Sequence, residues 1–227
     1  MKIAISQPRY LPAIIYLQRI YLSDKFVLLD DVQHSREFEN RNYIKTPNGK
    51  KWLTIPCKQK SSRIFIKDLK ISDKNWKEKH IKLIKQSYKK AKYFDEELLL
   101  KLYDLPNTDD FTTTVFYYLK NILNIFDFKK ELILSSFLQI QTKGAQKLYD
   151  ISKKLNASTY ISGINGKNYI KDEFLDVKVL YHQYLHPTYQ QLWDKEFFPW
   201  MGFVDMLFNV GIDEVIKSIK NDFILEE

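Results

Sequence analysis

The chain has 227 residues, 44% of them hydrophobic and 28% charged, which suits one packed domain over residues 1–227 and excludes a disordered chain. No run nears the roughly 18 apolar residues that span a bilayer, the N-terminus lacks a signal-peptide pattern, and a lone Cys57 excludes an intramolecular disulfide or a cysteine-based zinc cluster; a cytoplasmic protein with no membrane insertion is expected. The net charge of +8 falls largely on lysine-rich helical stretches such as KNWKEKHIKLIKQSYKKAKYF, the pattern of a solvated helix face, which argues against nucleic acid and suits a phosphorylated small molecule or an acidic carrier protein.

In chain order, residues 2–6 read as a short apolar strand, and residues 13–22 (AIIYLQRIYL) carry apolar groups at helical spacing. KFVLLDD follows as a buried strand ending in two carboxylates, so the chain opens with a βαβ unit. In RNYIKTPNGKKWLTIP, Asn48-Gly49 predicts a β-hairpin added at the sheet's edge or on top of it, and residues 63–71 suggest another strand. Three segments between residues 74 and 126 have helical spacing and form a helical insertion or subdomain, with Asp109 and Asp110 placed to cap the third. The α/β pattern then resumes: strand KELILSS, helix TKGAQKLYDISKKLN, strand STYISG, strand VKVLYHQY, and two helices broken at Gly211. The expected fold is α/β, a mainly parallel central sheet with flanking helices, the hairpin and the helical insertion.

Ligands of open parallel sheets bind beyond the carboxyl ends of the strands. Gln7, Arg9 and Tyr10 follow the first strand, and Asp30 and Asp31 end the second; turn-forming and capping roles are the competing explanation. Neither GxGxxG nor GxxxxGK[ST] occurs. Arg41 between Asn40 and Asn42 offers a cationic fork and amide donors for a carboxylate, phosphate or sugar, or else a salt bridge from Arg41 to Asp30 or Asp31. In SGINGKNY, Gly163 and Gly166 let backbone amides approach a ligand and Lys167 adds charge; an ordinary strand-to-helix turn is the alternative. His182 and His186 stand four apart in YHQYLHPTYQQLW, but Pro187 biases His186 away from helix and no HExxH occurs, so a general base fits better than a metal ligand and no metal is expected. Asp205 and Asn209, one turn apart on an apolar helix, require partners and either support a site or cap a loop. Cys57 reads as a small buried residue.

The runs IAISQPRYLP, FVLLDDVQ, NRNYIKTPNGKKWLTIP, YISGINGKNYI, HPTYQQLW and FVDMLFNVG together resemble the WbqC-like protein family, over nearly the whole chain. The chain departs where Ile15 replaces a glycine and where HSREFE carries no tryptophan. The resemblance implies a role in surface-polysaccharide (O-antigen) synthesis and transfer of an acyl or aminoacyl group to the amine of a nucleotide-linked amino sugar. By position its motifs fall on Gln7, Asp30, Asp31, Asn40, Arg41, Asn42, Gly163, Lys167, Tyr169, His186, Tyr189, Gln191, Asp205 and Asn209. Such a transfer needs a base and oxyanion donors. His186, or in its place His182, is the expected base, with Asp30 or Asp31 holding the amine or sugar hydroxyls. Gln7, Asn40, Asn42 and the amides near Gly163 would be oxyanion donors, and Arg41 and Lys167 would hold phosphates. No cofactor is firmly implied; the donor could be an acyl-CoA, an acyl- or aminoacyl-carrier protein, or an aminoacylated RNA. The rival readings are a non-catalytic sugar-nucleotide or carrier-protein binding module and a nucleotidyl transferase.

Overall fold

The computed structural model describes residues 1–58, 63–170, 174, 176–193 and 196–227. Strand β1 (Lys2–Ser6) leads through residues 7–13 into helix α1 (Ile14–Leu22), then strand β2 (Lys25–Leu28). The hairpin β3 (Arg41–Thr46) and β4 (Gly49–Thr54) comes next, followed by short β5 (Cys57–Lys58) and β6 (Lys70–Ile71). Helices α2 (Trp76–Tyr88), α3 (Glu96–Leu102) and α4 (Phe111–Ile125) fill the interval before β7 (Glu131–Leu134). Helix α5 (Gly144–Lys154), β8 (Thr159–Gly163), β9 (Lys178–Tyr184), α6 (Phe203–Val210), α7 (Ile212–Asn221) and β10 (Phe223–Glu226) complete the chain.

Six strands form one sheet in the order β10-β9-β8-β1-β2-β7, parallel except for β10. The chain runs outward from β1 through β2 to β7, then returns to the other side of β1 and runs outward again through β8 to β9. The order reverses between β1 and β8, so their carboxyl ends flank a topological switch point. Alternation along the strands divides the interior. Ile3, Ile5, Val27 and Tyr160 pack with Leu148 and Ile151 of α5, whereas Ala4, Phe26, Leu28 and Ile161 belong to the larger core with α1, α4, α6 and α7. Helix α1 forms because Ile14, Leu17 and Ile20 recur at helical spacing on the buried side; it ends at Ser23, whose N–H and hydroxyl both donate to the Ile20 carbonyl. Burying a side chain such as Leu17 is worth about 2 kcal/mol.

The hairpin pairs Arg41 with Thr54 through Thr46 with Gly49; Pro47 and Asn48 form its turn, and Gly49 takes φ +97°, a conformation that favours glycine. Asp110 caps α4 as expected, accepting from the Thr113 N–H at 2.7 Å, and Asp95 caps α3. Two local expectations are corrected. Residues 63–71 hold a 3-10 turn, Ile66–Asp68, and only the two-residue β6; Ile66 and Leu69, three apart, are both fully buried, which fits a turn and not a strand. Strand β10, unforeseen, closes one edge of the sheet antiparallel to β9.

Candidate functional site

At the switch point, the turn after β1 lies over α1. The Tyr16 hydroxyl donates to the Gln7 carbonyl at 3.0 Å. The same ring lies beside two cations: Arg9 Cζ is 6.0 Å and Arg19 Cζ 5.8 Å from its centroid. Arg19 Nη2 stands 3.5 Å from Ser6 Oγ, at the end of β1, and a Cβ added to Gly163, at the end of β8, would meet Arg19 Nη1 at 3.5 Å. Among the described residues neither guanidinium has a carboxylate within ion-pair distance, and the Gln7 amide makes no hydrogen bond. Arg19 Nε is buried without a partner. Burial, and then the charge of Arg9, push the Arg19 pKa down, while Tyr160 and Tyr169 pull it up. Sequence reasoning placed Gln7, Arg9, Gly163 and Tyr169 here and missed Arg19 and Ser6. The signal for Arg19 is a lone arginine in the apolar run IIYLQRIYL.

On the far side of β1, the ends of β2 and β7 hold an acidic cluster. Asp30, 1% exposed, accepts from the Ser135 hydroxyl (3.0 Å), the Ser136 N–H (2.9 Å) and the Ser136 hydroxyl (2.7 Å). Asp31 accepts from Ser135 and pairs with Lys147 of α5 at 2.7 Å. The aspartates thus lie at the sheet edge expected, tied to serines and a lysine.

The other predicted residues sit elsewhere. Tyr10 is a core residue, 1% exposed, bonded to Tyr103 and to His80 Nδ1 (2.7 Å). Asn40 donates to the Ile55 carbonyl (2.8 Å) and Asn42 to the Leu11 carbonyl (2.9 Å), so both fasten the hairpin. Arg41 stacks over Trp52 at 4.4 Å and donates to the Glu37 and Arg36 carbonyls, in place of a bridge to Asp30 or Asp31. Lys167 pairs with Glu226 of β10 at 2.6 Å. Asp205, fully buried, accepts from the Tyr88 hydroxyl (2.7 Å), the Tyr189 hydroxyl (2.8 Å) and the Gln191 amide (2.7 Å); burial raises its pKa. Asn209 accepts from the Leu192 N–H at 2.9 Å, so this pair caps the loop after β9.

The histidines are similarly engaged. His186 Nδ1 donates to the Pro187 carbonyl (2.8 Å) and Nε2 accepts from the Trp200 N–H (3.0 Å); burial lowers its pKa. His182 pairs with Gly163 in the β8–β9 register, is fully buried and contacts Gln18 Oε1 at 2.9 Å. Burial first, then the Arg19 charge, push its pKa down to about 4. Cys57 is partly buried, its thiol pushed up to about 12 by burial. Among the described residues no group of three His, Cys, Asp or Glu side chains could hold a metal ion, and no helix is long and apolar enough to cross a membrane. Two open hollows of about 410 Å³ lie away from the switch point, one along β9 by Glu227 and one between the hairpin turn and α2; neither brings together the partnerless polar groups found beside Tyr16.

Comparison with known proteins agrees with the motif pattern. The model of the WbqC-like protein family matches residues 7–217. A Mycobacterium tuberculosis protein, the uncharacterized protein Rv1507c, is 27% identical over 220 residues, covering 93% of this chain and 95% of that one. No solved structure matches.

Proposed function

The chain belongs to the WbqC-like protein family, and on that premise we propose that it is a transferase forming an amide on the amine of a nucleotide-linked amino sugar. One observation carries this reading: Arg9 and Arg19 lie against the Tyr16 ring at the switch point of a doubly wound sheet, with Gly163 beside Arg19, and among the described residues neither guanidinium pairs with a carboxylate and the Gln7 amide makes no hydrogen bond. The sugar's amine attacks the carbonyl of an acyl or aminoacyl donor, a C–N bond forms, the C–S or C–O bond to the carrier breaks, and the amine proton passes to the departing thiolate or alkoxide. Asp31, the more exposed aspartate at this edge, is the group assigned to hold the amine, and the Gln7 amide is the oxyanion donor.

The test is mass spectrometry of the protein incubated with nucleotide-linked amino sugars and, in turn, acyl-CoA, an acyl-carrier protein and an aminoacylated RNA. A product heavier by one acyl group, with release of the carrier, is expected from one pairing. A second reading has its own observation: both ring nitrogens of His186 are held by backbone, and His182 is fully buried. That favours a non-catalytic sugar-nucleotide binding module, which would show ligand-induced stabilisation and no product with any donor.

A further inference from the structure

We infer that Arg9 and Arg19 form a clamp for the diphosphate of a nucleotide ester at the β1/β8 switch point. The inference rests on the transferase reading only for what is attached to that diphosphate. Two guanidiniums lie near one tyrosine ring, 6.0 and 5.8 Å from its centroid and close enough for one charge to act on the other, with no carboxylate within ion-pair distance among the described residues. Arg19 is half-buried, with its Nε wholly out of solvent and unbonded. Like charges brought together in a poorly solvated place repel, and a partly buried cation is normally paired. Arg41 has two carbonyls and the Trp52 face, whereas among the described residues Arg9 has only the faces of Phe38 (5.5 Å) and Tyr16, and Arg19 only the Tyr16 ring and a 3.5 Å approach to Ser6 Oγ. The pair at the switch point has no acceptor of opposite charge among the described residues.

The chemistry of that acceptor follows from the donors. Planar forks bind oxyanions through two parallel N–H bonds, and two of them match a group bearing two negative charges on adjacent centres. Gly163 keeps the end of β8 free of a side chain beside Arg19 Nη1, and the Gln7 amide adds donors with no internal use. A nucleotide-linked sugar carries such a diphosphate, and so does coenzyme A; the shared group is what the clamp would take, and either molecule could supply it.

Calorimetry or fluorescence titration with a uridine diphosphate sugar, a thymidine diphosphate sugar, coenzyme A, inorganic pyrophosphate and uridine tests the clamp. The expected result is binding of at least one diphosphate ester, with uridine at least a hundredfold weaker. Arg9→Gln and Arg19→Met should each weaken that ligand tenfold or more, while Lys82→Gln, removing an exposed charge on α2, should leave it within twofold. The clamp is overturned if no diphosphate binds at millimolar concentration, if uridine binds equally well, or if both arginine variants stay within threefold of the parent. Should Arg19→Met fail to fold, Arg9→Gln, on a part-exposed turn, decides alone. Product formation unaffected by both variants would overturn the clamp and leave the transferase standing. Arginine-dependent binding without product from any donor would do the reverse.

Discussion

Gln18 fixes the tautomer of His182. Its amide nitrogen donates to the Ser218 carbonyl at 2.9 Å and the Asp222 carbonyl at 3.0 Å, so its oxygen accepts from His182 Nε2–H and the lone pair falls on Nδ1, buried without a partner. With its pKa held at about 4, His182 is neutral in the folded protein, whereas in the unfolded chain it takes a proton below about 6.5. The unfolded state therefore binds more protons between those values, so this contribution to stability is complete above pH 6.5 and is lost as pH falls toward 4. It amounts to about 2 kcal/mol between pH 7 and pH 5. Urea melts of His182→Gln, which keeps a donor to Gln18, should show a correspondingly shallower pH dependence than the parent; parallel curves would refute the assignment. His186 supports a different expectation, because its nitrogens are held by Pro187 and Trp200. Replacing it by Ala should cost about 1–2 kcal/mol of stability for two lost hydrogen bonds. Turnover of the folded fraction should fall less than tenfold; a fall of 10²–10⁴ would restore His186 as the base.

Helix α6 is almost wholly apolar, and its two polar side chains hold the loop after β9. Asp205 receives three donors, two of them tyrosine hydroxyls from different elements, and Tyr88 in turn accepts from the Lys45 N–H of β3 at 2.9 Å. Asp205→Ala removes the common acceptor of Tyr88, Tyr189 and Gln191 in a dry interior, an expected loss of about 3 kcal/mol or more by chemical denaturation, with Asp205→Asn losing less. A loss under 1 kcal/mol for the alanine variant would show that the donors find other acceptors. The same elements show what sequence reading reaches. Helices and parallel strands were legible because Ile14, Leu17 and Ile20, or Ile3 and Ile5, repeat at the period of their element. Strand β10 was not: Asn221-Asp222 mark a turn after α7, but the four residues that follow are too few to show a strand period and exist by pairing with β9. Asn40 and Asn42 read as chemistry because they flank Arg41, and Asp205 and Asn209, polar on an apolar helix, read as either site or loop cap; folded backbone needs such partners as much as a ligand does. Arg19 failed in the opposite direction: on α1 it reads as one polar turn of an amphipathic helix, and only the return of the chain to β8 sets Gly163 against it.

Across the whole molecule the charge is +8, and two populations of cations contribute to it differently. Lys74, Lys82, Lys89 and Lys90 are exposed, Lys74 just before α2 and the others on it or just past its end, where they raise the potential around the protein without touching the switch point. Arg9 and Arg19 stand at the switch point, half-buried and, among the described residues, without a carboxylate within ion-pair distance. For a diphosphate ligand the first group should act on encounter and the second on residence. Long-range attraction is felt over about 30 Å at 0.01 M salt and about 8 Å at 0.15 M, so it fades with added salt, whereas a desolvated contact is screened far less. Stopped-flow binding separates the two. Converting the four lysines to glutamine should lower the association rate several-fold at 0.01 M salt, lose that effect by 0.15 M, and leave the dissociation rate unchanged. Arg19→Met should raise the dissociation rate about tenfold at either salt concentration and alter association little. If the lysine variant instead speeds dissociation as much as Arg19→Met does, the anion rests on α2, and the guanidinium pair beside Tyr16 has some other explanation.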